Sequence, residues 1–285
     1  MTGLRLFNSR NAVLITMHKK EEVIFPLLRP LGMQLSVLDT VDTDQFGSFT
    51  RDIARKGSQL EAAQSKAKKA LEVSGERIAI SSEGSFGPHP QLFFVPANIE
   101  LVLFIDARHN IEIAGWEISS DTNFSQAEIT SVKEAIRFSI TCGFPSHAIV
   151  VRPNQAESNN LLFKGLTNES ILEEAVMKCI SASQDGKALI ETDMRAMYNP
   201  TRMKVIEKAT VNLLSKLQSV CPECAWPGFE VTDWIRGLPC ENCFMPTRFV
   251  LKHIYTCKKC NHKNEIDYPD RKNYCEAQFC DFCNP

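Results

Sequence analysis

Four Cys-x-x-Cys pairs, Cys221/Cys224, Cys240/Cys243, Cys257/Cys260 and Cys280/Cys283, carry the clearest chemistry in the sequence. Each pair can present two thiolates from one tight turn, and two pairs complete the four-coordinate shell of a structural zinc ion. The sequence therefore predicts two structural Zn sites. A site closed by four thiolates leaves no position for water or substrate, so these residues shape the tail and any catalysis belongs elsewhere. The spacing leaves the pairing open. Cys240, Cys243, Cys257 and Cys260 could share one ion while the outer pairs hold the other, or consecutive pairs could combine. Cys275 reads as a spare thiol, with displacement of Cys280 or Cys283 as its alternative role, and Cys142 and Cys179 read as core thiols.

Two further segments offer chemistry. Ser81 to Pro90 follows an apolar strand, where ligands of open α/β sheets tend to bind. Gly84 and Gly87 would let the backbone approach a ligand, while Glu83, Ser85 and His89 supply a carboxylate, a hydroxyl and an imidazole. It is not a P-loop, because it lacks the Gly-Lys-Ser/Thr ending and Pro88 and Pro90 discourage a following helix. An irregular turn is the plainer reading. The second segment, Glu191 to Arg202, also follows a strand and ends in Asn199-Pro200, a cap followed by a first helical residue. Arg202 and Lys204 in the first turn, with Arg195 just upstream, oppose the partial positive charge of a helix amino terminus. An anion bound there would remove the conflict, and internal pairing with Glu191 or Asp193 is the alternative. On this reading Glu83 and Asp193 hold a divalent ion or activate water and His89 handles a proton. Ser85, Arg195 and Arg202 bind the anionic group. Ser119 to Ser125 reads mainly as capping residues.

The elements that must position these groups alternate. Ala12 to Met17 is a buried strand, Glu21 to Leu31 a helix and Met33 to Leu38 a second strand. Ile53, Leu60, Ala63, Ala67 and Ala70 mark a long helix, with Ser48 or Thr50 as cap and Gly75 as stop. A strand at Arg77 to Ser81 and a hairpin of Leu101 to Asp106 with Ile111 to Ile118 follow. Helices are expected at about 125–141, 168–183 and 200–219, with strands at Ala148 to Arg152 and Ala188 to Glu191. The pattern predicts an α/β fold, a mixed sheet flanked by helices over residues 1–218, with a small zinc-ribbon-like module over 219–285. A strand pair over Thr247 to Tyr255 would join the second and third cysteine pairs.

Composition limits the options. With a net charge of −2 there is no general electrostatic pull towards nucleic acid. From Cys221 onward eight Lys or Arg stand against nine Asp or Glu, although Arg248, Lys252, Lys258, Lys259 and Lys263 gather near the third cysteine pair. That cluster reads first as a solvated face. The run Ala12 to Met17 is too short for a signal core, no stretch reaches the roughly 18 apolar residues that span a bilayer, and unbridged cysteines suit a reducing cytoplasm.

The segments Glu-Gly-Ser-Phe-Gly-Pro-His-Pro (83–90) and Thr-Asp-Met-Arg-Ala-Met-Tyr-Asn-Pro-Thr-Arg-Met (192–203), with the Cys-Pro-Glu-Cys tail, resemble an uncharacterised bacterial domain family. Fainter features resemble house-cleaning nucleoside-triphosphate pyrophosphatases: Thr16-x-His18-x-Lys20, Gly47-Ser48-Phe49 opening a long helix, and Ser81-Ser82-Glu83-Gly84-Ser85. That resemblance implies acidic residues after the strand holding Mg²⁺ and basic residues holding phosphate. Ser82 and Glu83 stand where that family has paired aspartates. The expectation is a metal-assisted hydrolase of a phosphorylated small molecule or nucleotide, using Mg or Mn, with a structural zinc tail. The alternative is a non-catalytic ligand sensor whose zinc module binds nucleic acid or a protein partner.

Overall fold

The apolar run after Arg10 forms strand β1 (Asn11–Ile15), buried in all but its first residue. It pairs in parallel with β2 (Gln34–Leu38) on one side and β3 (Ile78–Pro88) on the other. From β3 the chain turns back through β4 (Pro96–Asp106) and β5 (Ile111–Ser119), both antiparallel. The sheet order is β2-β1-β3-β4-β5, a mixed sheet as the sequence predicts. These strands belong to a computed structural model that describes residues 6–39, 57–155 and 161–285. Within it Phe7–Leu213 form one compact unit, and the tail from Leu214 belongs to another.

Helix α1 (Glu21–Leu28) links β1 to β2, and α2 (Gln59–Ser74) precedes β3. The cap of α2 is Ser58, which accepts from the amide of Glu61 while the Glu61 carboxylate accepts from the amide of Ser58. The caps expected at Ser48 or Thr50, and Gly47 to Phe49, lie outside the described residues. Ala63, Ala67 and Ala70 pack on Val13, Ile15, Leu101 and Leu103. Their small side chains let the helix lie close to the sheet.

A second, antiparallel sheet has the order β6-β9-β7-β8, from β6 (Gln126–Ile129), β7 (Ile149–Pro153), β8 (Phe163–Leu166) and β9 (Ala188–Thr192). Helices α3 (Val132–Thr141) and α4 (Glu169–Ala182) add Ala135, Leu172, Val176 and Cys179 to its core. After β9 comes α5 (Pro200–Gln218), which meets β5 at Gly115. A Cβ there would lie 2.2 Å from the Ala209 carbonyl, so the glycine is what lets helix and strand touch.

Two differences from the sequence reading have plain causes. The segment Ser81 to Pro88 is not an irregular loop but the second half of β3, held in register from Ile78↔Asp106 to Pro88↔Pro96. Its glycines resemble turn formers, yet Gly84 is small because a Cβ would meet Arg202 and Glu100 at 2.4 Å. The helix expected from residue 125 instead begins at Val132, after β6, where the Ser131 side chain caps it.

The tail carries a three-stranded antiparallel sheet of β10 (Glu230–Arg236), β11 (Val250–Thr256) and β12 (Lys263–Asp267). One strand, β11, connects the second and third cysteine pairs, where a strand pair was expected.

Candidate anion site and metal centres

Strand β1 pairs with β3 at Ala79 and Ile80, and past Ile80 no strand among the described residues continues that edge; the carbonyls of Ser82 and Glu83 accept from Lys20 Nζ and Gln59 Nε2 instead. Charged side chains converge there from both faces of the sheet. Lys20 is buried at the start of α1, and its Nζ donates to the carbonyl and the hydroxyl of Ser82, at 3.1 and 3.2 Å. Among the described residues no carboxylate lies within ion-pair distance of it. On the α2 face, buried Lys66 meets the Glu83 carboxylate at 2.5 Å. On the opposite face, Arg202 from α5 is fully buried, with Nε on Glu100 Oε1 at 2.7 Å and Nη1 donating to the Met194 carbonyl. Arg195 holds Asp193 through Nε at 3.0 Å and Nη2 at 2.6 Å, and its guanidinium lies over the Tyr198 ring. Three carboxylates thus pair with three of four cations, and Lys20 carries the excess charge.

The electrostatics follow. Burial, then Arg202 and Lys66, pull Lys20 down to about 7, with Glu100 and Glu83 opposing. His18, in the loop before α1, is pushed down to about 3 by burial and by Lys20, Arg202, Arg195 and Lys66. His18 is therefore neutral at ordinary pH, within the field of Lys20, Arg202, Arg195 and Lys66. Such a cluster is poised to accept an anion, whose charge would relieve both the desolvation and the mutual repulsion of the cations.

The residues singled out from sequence fall into two sets. Glu83, Asp193, Arg195 and Arg202 join this polar cluster, although Glu83 faces α2 and Arg202 the other side. Ser85 sits one step further along the Glu83 face, half-buried. His89 lies beyond the end of β3. From Glu83 to Pro88 alone the strand spans about 17 Å, and the His89 Nδ1 is occupied by the amides of Gln91 and Leu92. The proton-handling role expected of it is thereby taken away from the cluster. The amino terminus of α5 is also closed: the Asn199 side chain accepts from the Arg202 amide and His147 Nε2 from the Thr201 amide. The conflict between Arg202 and the helix dipole is resolved by Glu100 instead of by an anion. Lys66 and Glu100 were not singled out, and Lys20 entered the sequence reading only in the Thr16-x-His18-x-Lys20 of the pyrophosphatase resemblance. Lys66 falls between Ala63 and Ala67 on the buried stripe of α2, and Glu100 on an inward position of β4; those placements were the available signal.

In the tail, Cys221, Cys224, Cys257 and Cys260 form one group and Cys240, Cys243, Cys280 and Cys283 the other, each able to hold a metal ion. The first pair joins the third and the second joins the fourth, an interleaved arrangement that neither expected pairing describes. Contacts of 3.7 Å (Cys221–Cys260), 3.6 Å (Cys224–Cys257), 3.8 Å (Cys240–Cys283) and 3.6 Å (Cys243–Cys280) match the edge of a thiolate tetrahedron. That edge is about 3.8 Å for metal–sulfur bonds of about 2.3 Å. Each turn has the same closure, the residue after the second cysteine donating to the carbonyl of the first: Ala225 to Cys221, Phe244 to Cys240, Asn261 to Cys257 and Asn284 to Cys280. The amides of Cys243 and Asn242 lower the Cys240 thiol to about 7. Cys275 is buried beside Cys240 and belongs to neither group. Part of the basic cluster of the tail is paired in place. Lys252 meets Glu265 and Asp267, Lys258 meets Glu230, and Lys259 lies over Trp226.

No helix among the described residues is long and apolar enough to cross a membrane. A family described as a domain of unknown function, DUF6671, matches residues 66–285. No curated protein matches the chain.

Proposed function

The chain belongs to the DUF6671 family, whose function is unknown, and we propose that its α/β unit binds a phosphorylated small molecule beside Lys20, where β3 runs on past β1, and hydrolyses it. The observation that carries this reading is Lys20: a buried amine bonded to Ser82, with no carboxylate partner among the described residues, near three further cations. Leaving such an ammonium buried costs a few kcal/mol by the fall in its pKa, and a phosphate oxygen beside it offsets that cost. Lys66 can exchange Glu83 for a second phosphate oxygen. Arg202 and Glu100, bonded to each other, hold α5 against the site and do not contact the ligand.

A carboxylate can hold the ion for metal-assisted hydrolysis, and Glu83, paired with Lys66 alone of the four cations, is assigned that role. Mg²⁺ or Mn²⁺ binds with one or two carboxylates plus substrate phosphates, a donor set that Glu83 and a bound phosphate supply. Such an ion would neutralise charge on the phosphate oxygens. Asp193, held at both oxygens by Arg195 and also accepting from the Gly165 amide, orients Arg195. The tail from residue 219 is a structural module in this reading, its two thiolate groups holding zinc in a reducing cytoplasm.

The test is titration with inorganic phosphate, followed by phosphate release from a panel of phosphorylated small molecules with Mg²⁺ or Mn²⁺. Binding that is lost in Lys20→Met, and turnover that is lost in Glu83→Gln, are expected. No stabilisation by any anion would sink the reading, and stabilisation without turnover would remove its hydrolytic half.

A further inference from the structure

The two metal groups of the tail treat their aromatic residues in opposite ways. Around Cys221, Cys224, Cys257 and Cys260 the rings turn inward: Phe229 is buried against Tyr255 and His262, and Lys259 lies over Trp226. Around Cys240, Cys243, Cys280 and Cys283 they face solvent. Phe244 is 65% exposed and Phe282 63%, and Met245, Phe249, Tyr274 and Phe279 are exposed as well. All six lie within six residues of a cysteine of that group. The rings gather in pairs, Phe244 edge-on to Tyr274 and Phe249 tilted against Phe279, with centroids 6.0 and 5.8 Å apart. The turn that carries Phe282 meets the turn before Phe244 through the 3.6 Å contact of Cys243 and Cys280. A monomer rarely keeps so much apolar surface together without a use, and aromatic residues and methionine are what protein interfaces enrich.

We propose that the second metal group is a docking surface for a cationic, apolar segment of a partner protein. The charge of the surface selects that occupant. Inside the turns Cys240–Cys243 and Cys280–Cys283 the only charged side chains are Glu241 and Asp281, whereas the turns of the first group hold Lys258 and Lys259 beside Glu223. Residues 238–249 and 270–285 together carry Glu241, Asp270, Glu276 and Asp281 against Arg248, Arg271 and Lys272. Four thiolates around a divalent ion add two further negative charges. Nucleic acid would meet net negative charge, and a second copy would set the surface against itself at like charge. Arginine and lysine suit both of its features. Their stems lie on apolar side chains while their charged ends reach ring faces or carboxylates.

The experiment is fluorescence anisotropy of the whole, metal-loaded chain with three labelled probes: a short peptide alternating Arg and Leu, its Glu/Leu counterpart, and single-stranded oligothymidylate. The Arg/Leu peptide should bind, more weakly as salt rises, and the other two should not. Phe244→Ser and Phe282→Ser should each weaken that binding about tenfold or more, and Asp281→Asn by a smaller factor. Both phenylalanines are surface residues, so an unchanged metal content is expected of their variants, and either one keeps the test valid if the other loses its metal. Phe93→Ser, in the α/β unit, should change nothing, which separates this surface from a general attraction of basic peptides. No binding of the Arg/Leu peptide, or equal binding by every variant, overturns the proposal. Oligothymidylate binding that Phe244→Ser removes would overturn it in favour of nucleic acid. A dimer seen by sedimentation and lost in the same variant would overturn it in favour of a second copy. None of these results depends on an anion at Lys20, so this surface and the phosphate reading fail separately.

Discussion

The Lys20 ammonium rests on Ser82, bonded to its carbonyl at 3.1 Å and its hydroxyl at 3.2 Å, neither of which carries charge. With its pKa near 7 against an ordinary 10.5, Lys20 is only partly protonated at neutral pH. Phosphate affinity is therefore expected to fall as pH rises above about 7, approaching tenfold per unit where binding requires the proton, because the site loses its unpaired charge. The folding signature runs the other way. The unfolded chain holds that proton up to about 10.5, so stability should rise with pH between about 7 and 10.5. Lys20→Met should flatten both profiles, as read by calorimetry and by urea unfolding.

His18 gives a separate acid limb. Its folded pKa of about 3 lies below the ordinary 6.5, so the unfolded state binds one more proton in that window. Stability due to neutral His18 is complete above about 6.5 and is lost as pH falls towards 3, by about 1.4 kcal/mol per unit from this group alone. Urea unfolding from pH 6.5 down to 4 should be less steeply pH-dependent in His18→Gln. Equal slopes in the two proteins would show that His18 is not held neutral.

Apolar periodicity made β1, the β4–β5 hairpin, α4 and α5 legible in the sequence, because each buries one stripe or one whole run; β2 was legible from its apolar residues although none of them is fully buried. Four-residue strands such as β6 and β8 are too short for a period to appear. The second half of β3 was obscured by Gly84 and Gly87, which resemble turn residues until the ion pair beside Gly84 is seen. In the cluster, residue type revealed that Glu83, Asp193, Arg195 and Arg202 were unusual. It could not separate the buried Lys20 and Lys66 from the solvated lysines around them, since burial depends on α1 and α2 closing over the edge of β3. His89 looked chemical by type, yet its imidazole caps a turn.

The Arg202–Glu100 pair has no access to solvent, so breaking it should be costly. Glu100→Ala leaves a buried guanidinium without its carboxylate, and a loss of about 3–5 kcal/mol is expected. The double variant Glu100→Leu/Arg202→Met removes both charges and should recover most of that loss. Gly84→Ala should also destabilise strongly, because its new methyl would press on both partners. Chemical unfolding of the three variants beside the parent checks this, and a Glu100→Ala protein as stable as the parent would contradict the buried pairing.

Interleaving of the cysteine pairs makes the tail's two metal groups interdependent. The second pair lies between the first and third in the chain, and the third lies between the second and fourth, so β11 carries the connection between the two groups. Closing Cys221/Cys224 on Cys257/Cys260 loops out Cys240/Cys243, which must then find Cys280/Cys283. Two zinc ions per chain are expected by elemental analysis, and chelation should unfold β10, β11 and β12 together, because a metal supplies much of the folding energy of so small a module. Cys260→Ser should weaken the metal held with Cys221 and, through β11, reduce the thermal stability of the other group as well. Cadmium NMR of the substituted protein reads the pairing directly: one metal should couple to the β-protons of Cys221, Cys224, Cys257 and Cys260, the other to those of Cys240, Cys243, Cys280 and Cys283. Coupling of Cys243 and Cys257 to one cadmium would refute the interleaved arrangement, and a tail that stays folded without metal would remove the metals' structural role.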